Sequence, residues 1–277
     1  MENRTVPDTP VAETRTTAPP QPASGGPASR GRSRLTDRLK SLRPHEPWVL
    51  AFACLLPTAV TYAYFFVVAY APAAVQQTVY AVGKGVQFAL PVVWVGLVLR
   101  GPLGGVRLTT RGVATGLAFG TAAGLGSVLL YWAWFRHTEL FQAAAAPIVD
   151  KVDGLGIGSP AAFLAVGVFY AFGHSLLEEY YWRWFVFRRM RRWLSPPLAI
   201  GLSSGAFMLH HVFVVDRYFH DTPLVTALLS LSVMIGGVFW AWLYRRSGSL
   251  LGPWLSHLLI DAAIFAIGYA IVFGAQS

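Results

Sequence analysis

From Trp48 onward, apolar residues run in long blocks broken only by short polar connections. About 20 consecutive apolar residues cross a bilayer core as a helix, because a helix satisfies its own backbone polar groups without water. The blocks predict seven spans, at about 48–70, 77–99, 112–135, 160–187, 196–215, 223–244 and 250–273. The expected fold class is all-α, a polytopic transmembrane helical bundle. The 136–159 connection has room for a further short helix at the interface. The third span carries Gly112, Gly116, Gly120 and Gly124. A small residue at every fourth position forms a smooth ridge that lets another helix backbone approach closely. A contact inside the bundle is the expected use of the ridge, ahead of a dimer interface.

Charge sits in the connections and orients the spans. Arg30 to Arg43, then Arg100, Arg107 and Arg111, then Arg188, Arg189, Arg191 and Arg192, then Arg245 and Arg246 all fall on one side. The other side offers Arg136, Lys151 and Arg217, with Lys84 near the outer end of the second span. Lys and Arg accumulate on the cytoplasmic side, so the N-terminus is expected to be cytoplasmic and the C-terminus outside.

Composition agrees with this setting. Hydrophobic residues make up 55% of the 277 and charged residues 13%, which excludes an ordinary soluble domain. The net charge of +9 is spent on topology, so membrane lipids rather than nucleic acid are the expected partners. Cys54 is the single cysteine, and no intramolecular disulfide can form. Residues 1–46 are rich in Pro, Thr, Ala, Gly and Ser, contain no apolar run, and lack the apolar stretch of a signal peptide. They are expected to be a disordered basic tail. Residues 47–159 then hold the first spans and 160–273 the last four.

Against this apolar background the ionisable residues stand out. An ionisable group at membrane depth is costly and marks function or a partner. In the fourth span Glu178 and Glu179 are adjacent, and Arg183 follows Glu179 at i+4, on one helix face. Glu178 points about 100° away from that pair. His211 lies in the fifth span, one turn after Phe207. His257 and Asp261 lie one turn apart in the seventh. At about 1.5 Å per residue, Glu178, His211, His257 and Asp261 lie roughly 13, 22, 10 and 16 Å in from the cytoplasmic side. All fall inside a core about 30 Å thick, so three helices can present them to one cavity. His174, in register with Glu178, and His210 are read as supporting or packing groups. Tyr180, Tyr181, Trp182, Trp184 and Trp193 are read as an aromatic belt at the cytoplasmic interface. His220 and Asp221 are read as solvated.

The series Glu178-Glu179-x-x-x-Arg183, Phe207-x-x-x-His211 and His257-x-x-x-Asp261, each on its own apolar span, resembles the CPBP intramembrane proteases. That group includes the type II CAAX prenyl endopeptidases and bacterial relatives that process bacteriocins or give immunity to them. The likeness covers about 160–265. It implies a catalytic core within 160–273 that hydrolyses a peptide bond of a membrane-associated peptide or protein, lipidated in the CAAX case. Glu178 with His211 would activate a water, Glu179 and Arg183 would brace the helix, and His257 and Asp261 would bind the oxyanion. An ionised carboxylate cannot donate to an oxyanion, so Asp261 either orients His257 or acts protonated. The family has been described as metal-dependent as well as glutamate-dependent. A metal-free mechanism is expected, and the alternative is zinc held by Glu178, His211 and His257. The Ala-, Gly-, Arg- and Pro-rich composition suits a GC-rich bacterium, which makes the plasma membrane the expected location.

Two further classes stay open. A non-catalytic immunity or binding protein would keep this scaffold without turnover. A proton-coupled transporter also uses buried Glu, His and Arg, though no repeat with paired broken helices is visible.

Overall fold

Proline sets several helix starts, since its missing N–H is no loss in the first turn. The computed structural model describes residues 43–101 and 107–274; the expected tail, through residue 42, lies outside the described residues. Seven helices among the described residues are long and apolar enough to cross a membrane: α1 Glu46–Val67, α2 Ala73–Val98, α3 Val113–His137, α5 Pro160–Met190, α6 Pro196–Phe219, α7 Pro223–Ser247 and α8 Leu251–Phe273. Pro falls in the first turn of α1, α5, α6 and α7. The Ser159 hydroxyl accepts from Ala162 N at 3.3 Å and caps α5. Gly248, at φ 67°, ends α7 in the left-handed conformation that favours glycine.

The long connection after α3 does contain a helix, α4 Glu139–Gly154. Thr138 caps it by accepting from Phe141 N at 3.4 Å. Val152 of α4 joins Phe163 and Val272 in a small apolar cluster, which ties α4 to the ends of α5 and α8.

The glycine ridge is used inside the bundle. Along α3, Gly116, Gly120 and Gly124 face the backbone of α8. A Cβ on Gly120 would lie 2.7 Å from Ser256 O, and one on Gly252 would lie 2.6 Å from Gly112 O. Glycine on both partners is what permits backbone-to-backbone contact.

The second half of α5 is surrounded by other helices. Tyr181, Trp182, Phe185 and Val186 are buried together with Leu50 and Ala53 of α1, Val95 of α2, Phe207 of α6 and Trp240 of α7. The expected aromatic belt is therefore corrected: Tyr181, Trp182 and Trp184 are core residues, at 0%, 0% and 4% exposure. Trp193 is exposed, as a belt residue would be. The Tyr181 hydroxyl donates to Ala53 O at 2.7 Å, so its polar end is satisfied within protein. Below this core, Glu46 clamps α1 to the end of α5 through Arg189 at 2.8 Å and Arg192 at 3.4 Å.

The outward faces remain apolar. Trp48, Leu55, Leu125, Leu129 and Leu228 are all more than half exposed. Large apolar side chains this exposed suit contact with hydrocarbon.

Candidate active site

The two glutamates lie on a short α-helical stretch, Ser175–Glu179, between two π-helical stretches of α5, Phe169–His174 and Tyr180–Phe187. Such wide turns recur where a helix serves a functional site. Both carboxylates are buried, at 2% and 0% exposure.

Glu179 holds the framework. Its Oε2 lies 3.2 Å from Arg183 Nε, and its Oε1 lies 3.0 Å from His257 Nδ1. Arg183 in turn donates to Gly237 O at 3.4 Å and stacks its guanidinium 5.0 Å from the Phe207 ring and 5.1 Å from the Trp240 ring. One carboxylate therefore links α5 to α8, while its cation reaches α6 and α7. Trp240 also stacks on His257, with ring centroids 4.1 Å apart.

These contacts decide the chemistry of His257. A carboxylate only accepts, so Nδ1–H donates to Glu179 and Nε2 is turned toward Glu178 and Asp261. From Nε2, Glu178 Oε2 is at 3.9 Å and Asp261 Oδ1 at 3.5 Å. With Nδ1 committed, only the doubly protonated ring can donate from Nε2. His211 follows the same logic: its Nδ1 is 3.0 Å from Phe207 O, a pure acceptor, which leaves Nε2 as the free nitrogen.

The surroundings of Glu178 were only partly foreseen. Among the described residues, four side-chain nitrogens lie within 4 Å of its carboxylate. His174 Nε2 and Lys84 Nζ are each 3.8 Å from Oε1, His210 Nε2 is 3.7 Å from Oε1, and His257 Nε2 faces Oε2. These separations exceed a direct hydrogen bond but suit one bridged by water. His211 shares the cavity, yet His210 is the α6 histidine that comes within 4 Å of Glu178. Lys84 was missed as a site residue. Its one sequence signal was a charge inside an apolar span, which is grounds for suspecting function. Tyr80 and Tyr170, whose hydroxyls are 3.2 Å apart, complete that side.

All of these groups open onto one cavity of about 600 Å³. Glu178, His210, His211, His257 and Asp261 line its polar floor, and Ile148, Val152, Phe163, Val166, Ile264 and Phe265 contribute an apolar wall. The space far exceeds what a single water needs, so hydrolytic water has room beside the substrate. Among the described residues, no group of three or more His, Cys, Asp or Glu side chains is placed to hold a metal ion. The Lys84 ammonium, moreover, already puts a cation beside Glu178.

Residues 160–263 match the family model described as type II CAAX prenyl endopeptidase Rce1-like. No curated protein and no solved structure matches the chain. The matched segment runs from the start of α5 to the middle of α8. It contains Glu178, Glu179, Arg183, His211, His257 and Asp261 and excludes Lys84. Seven apolar helices together with this match make the protein an integral, multi-pass membrane protein. The segment that builds the buried carboxylate site is thus the part of the chain that resembles the CPBP/CAAX protease family.

Proposed function

We propose that the protein is an intramembrane endopeptidase that hydrolyses a peptide bond of a membrane-associated peptide or protein, using water activated by Glu178. The observation that carries this reading is the convergence of Glu178, His211, His257 and Asp261 from three helices on one cavity of about 600 Å³.

The substrate carbonyl lies in the cavity, over the floor formed by Glu178 and His257. A water held by a Glu178 oxygen and the free Nε2 of His211 attacks the carbonyl carbon, and Glu178 takes its proton. The C–O bond forms as the carbonyl π pair moves to oxygen. That oxyanion faces Nε2 of His257, whose ring is fixed by Glu179 and stacked on Trp240. Asp261, 3.5 Å from the same nitrogen, orients the ring or donates when protonated. As the tetrahedral species collapses, Glu178 returns the proton to the leaving amide nitrogen and the C–N bond breaks. A well-placed general base contributes about 10²–10⁴ in rate, and one oxyanion donor about 10²–10³. Arg183 touches no reacting atom; it holds Glu179, and through it His257. The apolar wall favours an apolar or lipid-bearing substrate segment over a charged one.

Peptides in membrane fractions of cells carrying the wild-type protein and Glu178→Ala test this reading. Wild type is expected to generate products that Glu178→Ala, His211→Ala and His257→Ala do not, with all four proteins folded. Identical peptide sets from all of them overturn it.

A further inference from the structure

The cavity has one closed end, and that end faces the arginines. Between the Glu178 site and the ends of α5 and α7 that carry Arg188, Arg189, Arg191, Arg192, Arg245 and Arg246 lies the aromatic core. Tyr181, Trp182, Phe207 and Trp240 there are each at most 3% exposed. The walls run the other way on every helix that contributes. On α8 they pass from His257 and Asp261 to Gly268, toward its C-terminal end, and on α6 from His210 to Tyr218. On α2 they run from Lys84 back to Gln77 near its start. The mouth is roofed by Lys151 and Leu155 of α4 and by Tyr64 and Tyr218, which also line an adjoining hollow of about 400 Å³. Lys151 is held there by Gln76 Oε1 at 2.9 Å and lies 4.2 Å above the Tyr64 ring.

Charge says which side of a membrane this mouth occupies. Arg100, Arg107 and Arg111 join the six arginines at the closed end, against Arg136, Lys151 and Arg217 at the open end. Lys and Arg concentrate on the cytoplasmic side of multi-pass proteins, so the closed end is cytoplasmic and the mouth exoplasmic. From Gly268 to His257 along α8 is about 16 Å at 1.5 Å per residue. An extended chain covers that distance in about five residues at 3.3 Å each. A folded domain cannot follow it in.

We infer that the site takes its substrate from the exoplasmic face, as an extended, predominantly apolar segment of an exported polypeptide whose scissile bond reaches about five residues below the mouth. The inference rests on the proteolytic reading for what happens at the floor, and on the cavity and the arginines for the direction of entry.

Two measurements on full-length protein in cell membranes separate these supports. In a Cys54→Ala background, single cysteines are placed at Gly154, where a side chain meets open space beside the mouth, and at exposed Arg245. Each is treated with a membrane-impermeant maleimide. Gly154→Cys is expected to label in intact cells and Arg245→Cys only after permeabilisation. The reverse pattern, or equal labelling of both in intact cells, overturns the inference. In parallel, the peptides that differ between wild type and Glu178→Ala are mapped onto their source proteins. Products from exoplasmic segments support the inference, whereas products from cytoplasmic tails overturn it and leave the proteolytic reading standing. If no peptide differs, the proteolytic reading fails together with the substrate assignment, and the labelling still decides the direction of access.

Discussion

Glu179→Gln tests the framework of the site with a change of a single atom. The side chain it replaces is fully buried, as is Arg183, and its two oxygens serve different partners: Arg183 Nε at 3.2 Å and His257 Nδ1 at 3.0 Å. An amide has one acceptor and one donor end. If its oxygen faces His257, its NH₂ meets the guanidinium donor to donor and Arg183 is left as an unpaired buried cation. Breaking a buried pair from one side costs about 3–5 kcal/mol. If the oxygen faces Arg183, the NH₂ meets Nδ1 of His257 and forces the other tautomer. The imidazole then accepts from that NH₂ but loses the ionic partner of its doubly protonated form, and the rate falls by up to the value of one oxyanion donor, about 10²–10³. Either way the variant loses on one of two axes. Thermal unfolding in detergent reads the first, and cleavage of a product-forming peptide from the membrane comparison reads the second. A Glu179→Gln protein with wild-type melting and a wild-type turnover rate would refute the reasoning, because Glu179 would then be holding neither partner.

The remaining expectations follow from single contacts. Gly120→Ala puts a Cβ 2.7 Å from Ser256 O and should lower the melting temperature, whereas Gly126→Ala, which meets nothing within 4 Å, should be neutral or gain up to about 1 kcal/mol of helix propensity. Lys84→Met should lower kcat with little change in KM, because the ammonium lies 3.8 Å from Glu178 Oε1, and Lys84→Arg should recover part of the loss; steady-state kinetics decide this. Chelators should leave turnover unchanged, since no metal-ready cluster exists among the described residues; loss of activity that returns with added zinc would contradict that expectation.

The spans, their approximate ends and the unusual position of Glu178, Glu179 and Arg183 were legible in the chain, because each is a local property. A run of about 20 apolar residues has to be a helix in lipid, and a carboxylate within one is conspicuous wherever the helix packs. The glycine ridge of α3 was legible for the same reason, since its spacing alone describes a smooth face. Burial of Tyr181, Trp182 and Trp184 was not. Lipid and a protein interior are both apolar, so aromatic residues near a span end look alike whether they face headgroups or another helix. Lys84 was hidden by a similar ambiguity, because a lone lysine in a span can snorkel outward or turn into a site.

The chain by itself determined which segments are long and apolar enough to cross a membrane and which buried ionisable residues are candidates for the chemistry. Tertiary packing decided how those residues meet. It assigned His257 Nδ1 to Glu179, brought His210 as well as His211 to the cavity, and closed the site with aromatic rings at the arginine end. Those outcomes depend on helix rotation and on the π-helical stretches flanking Glu178. Both are set by contacts between residues far apart in sequence, and local periodicity holds no record of them.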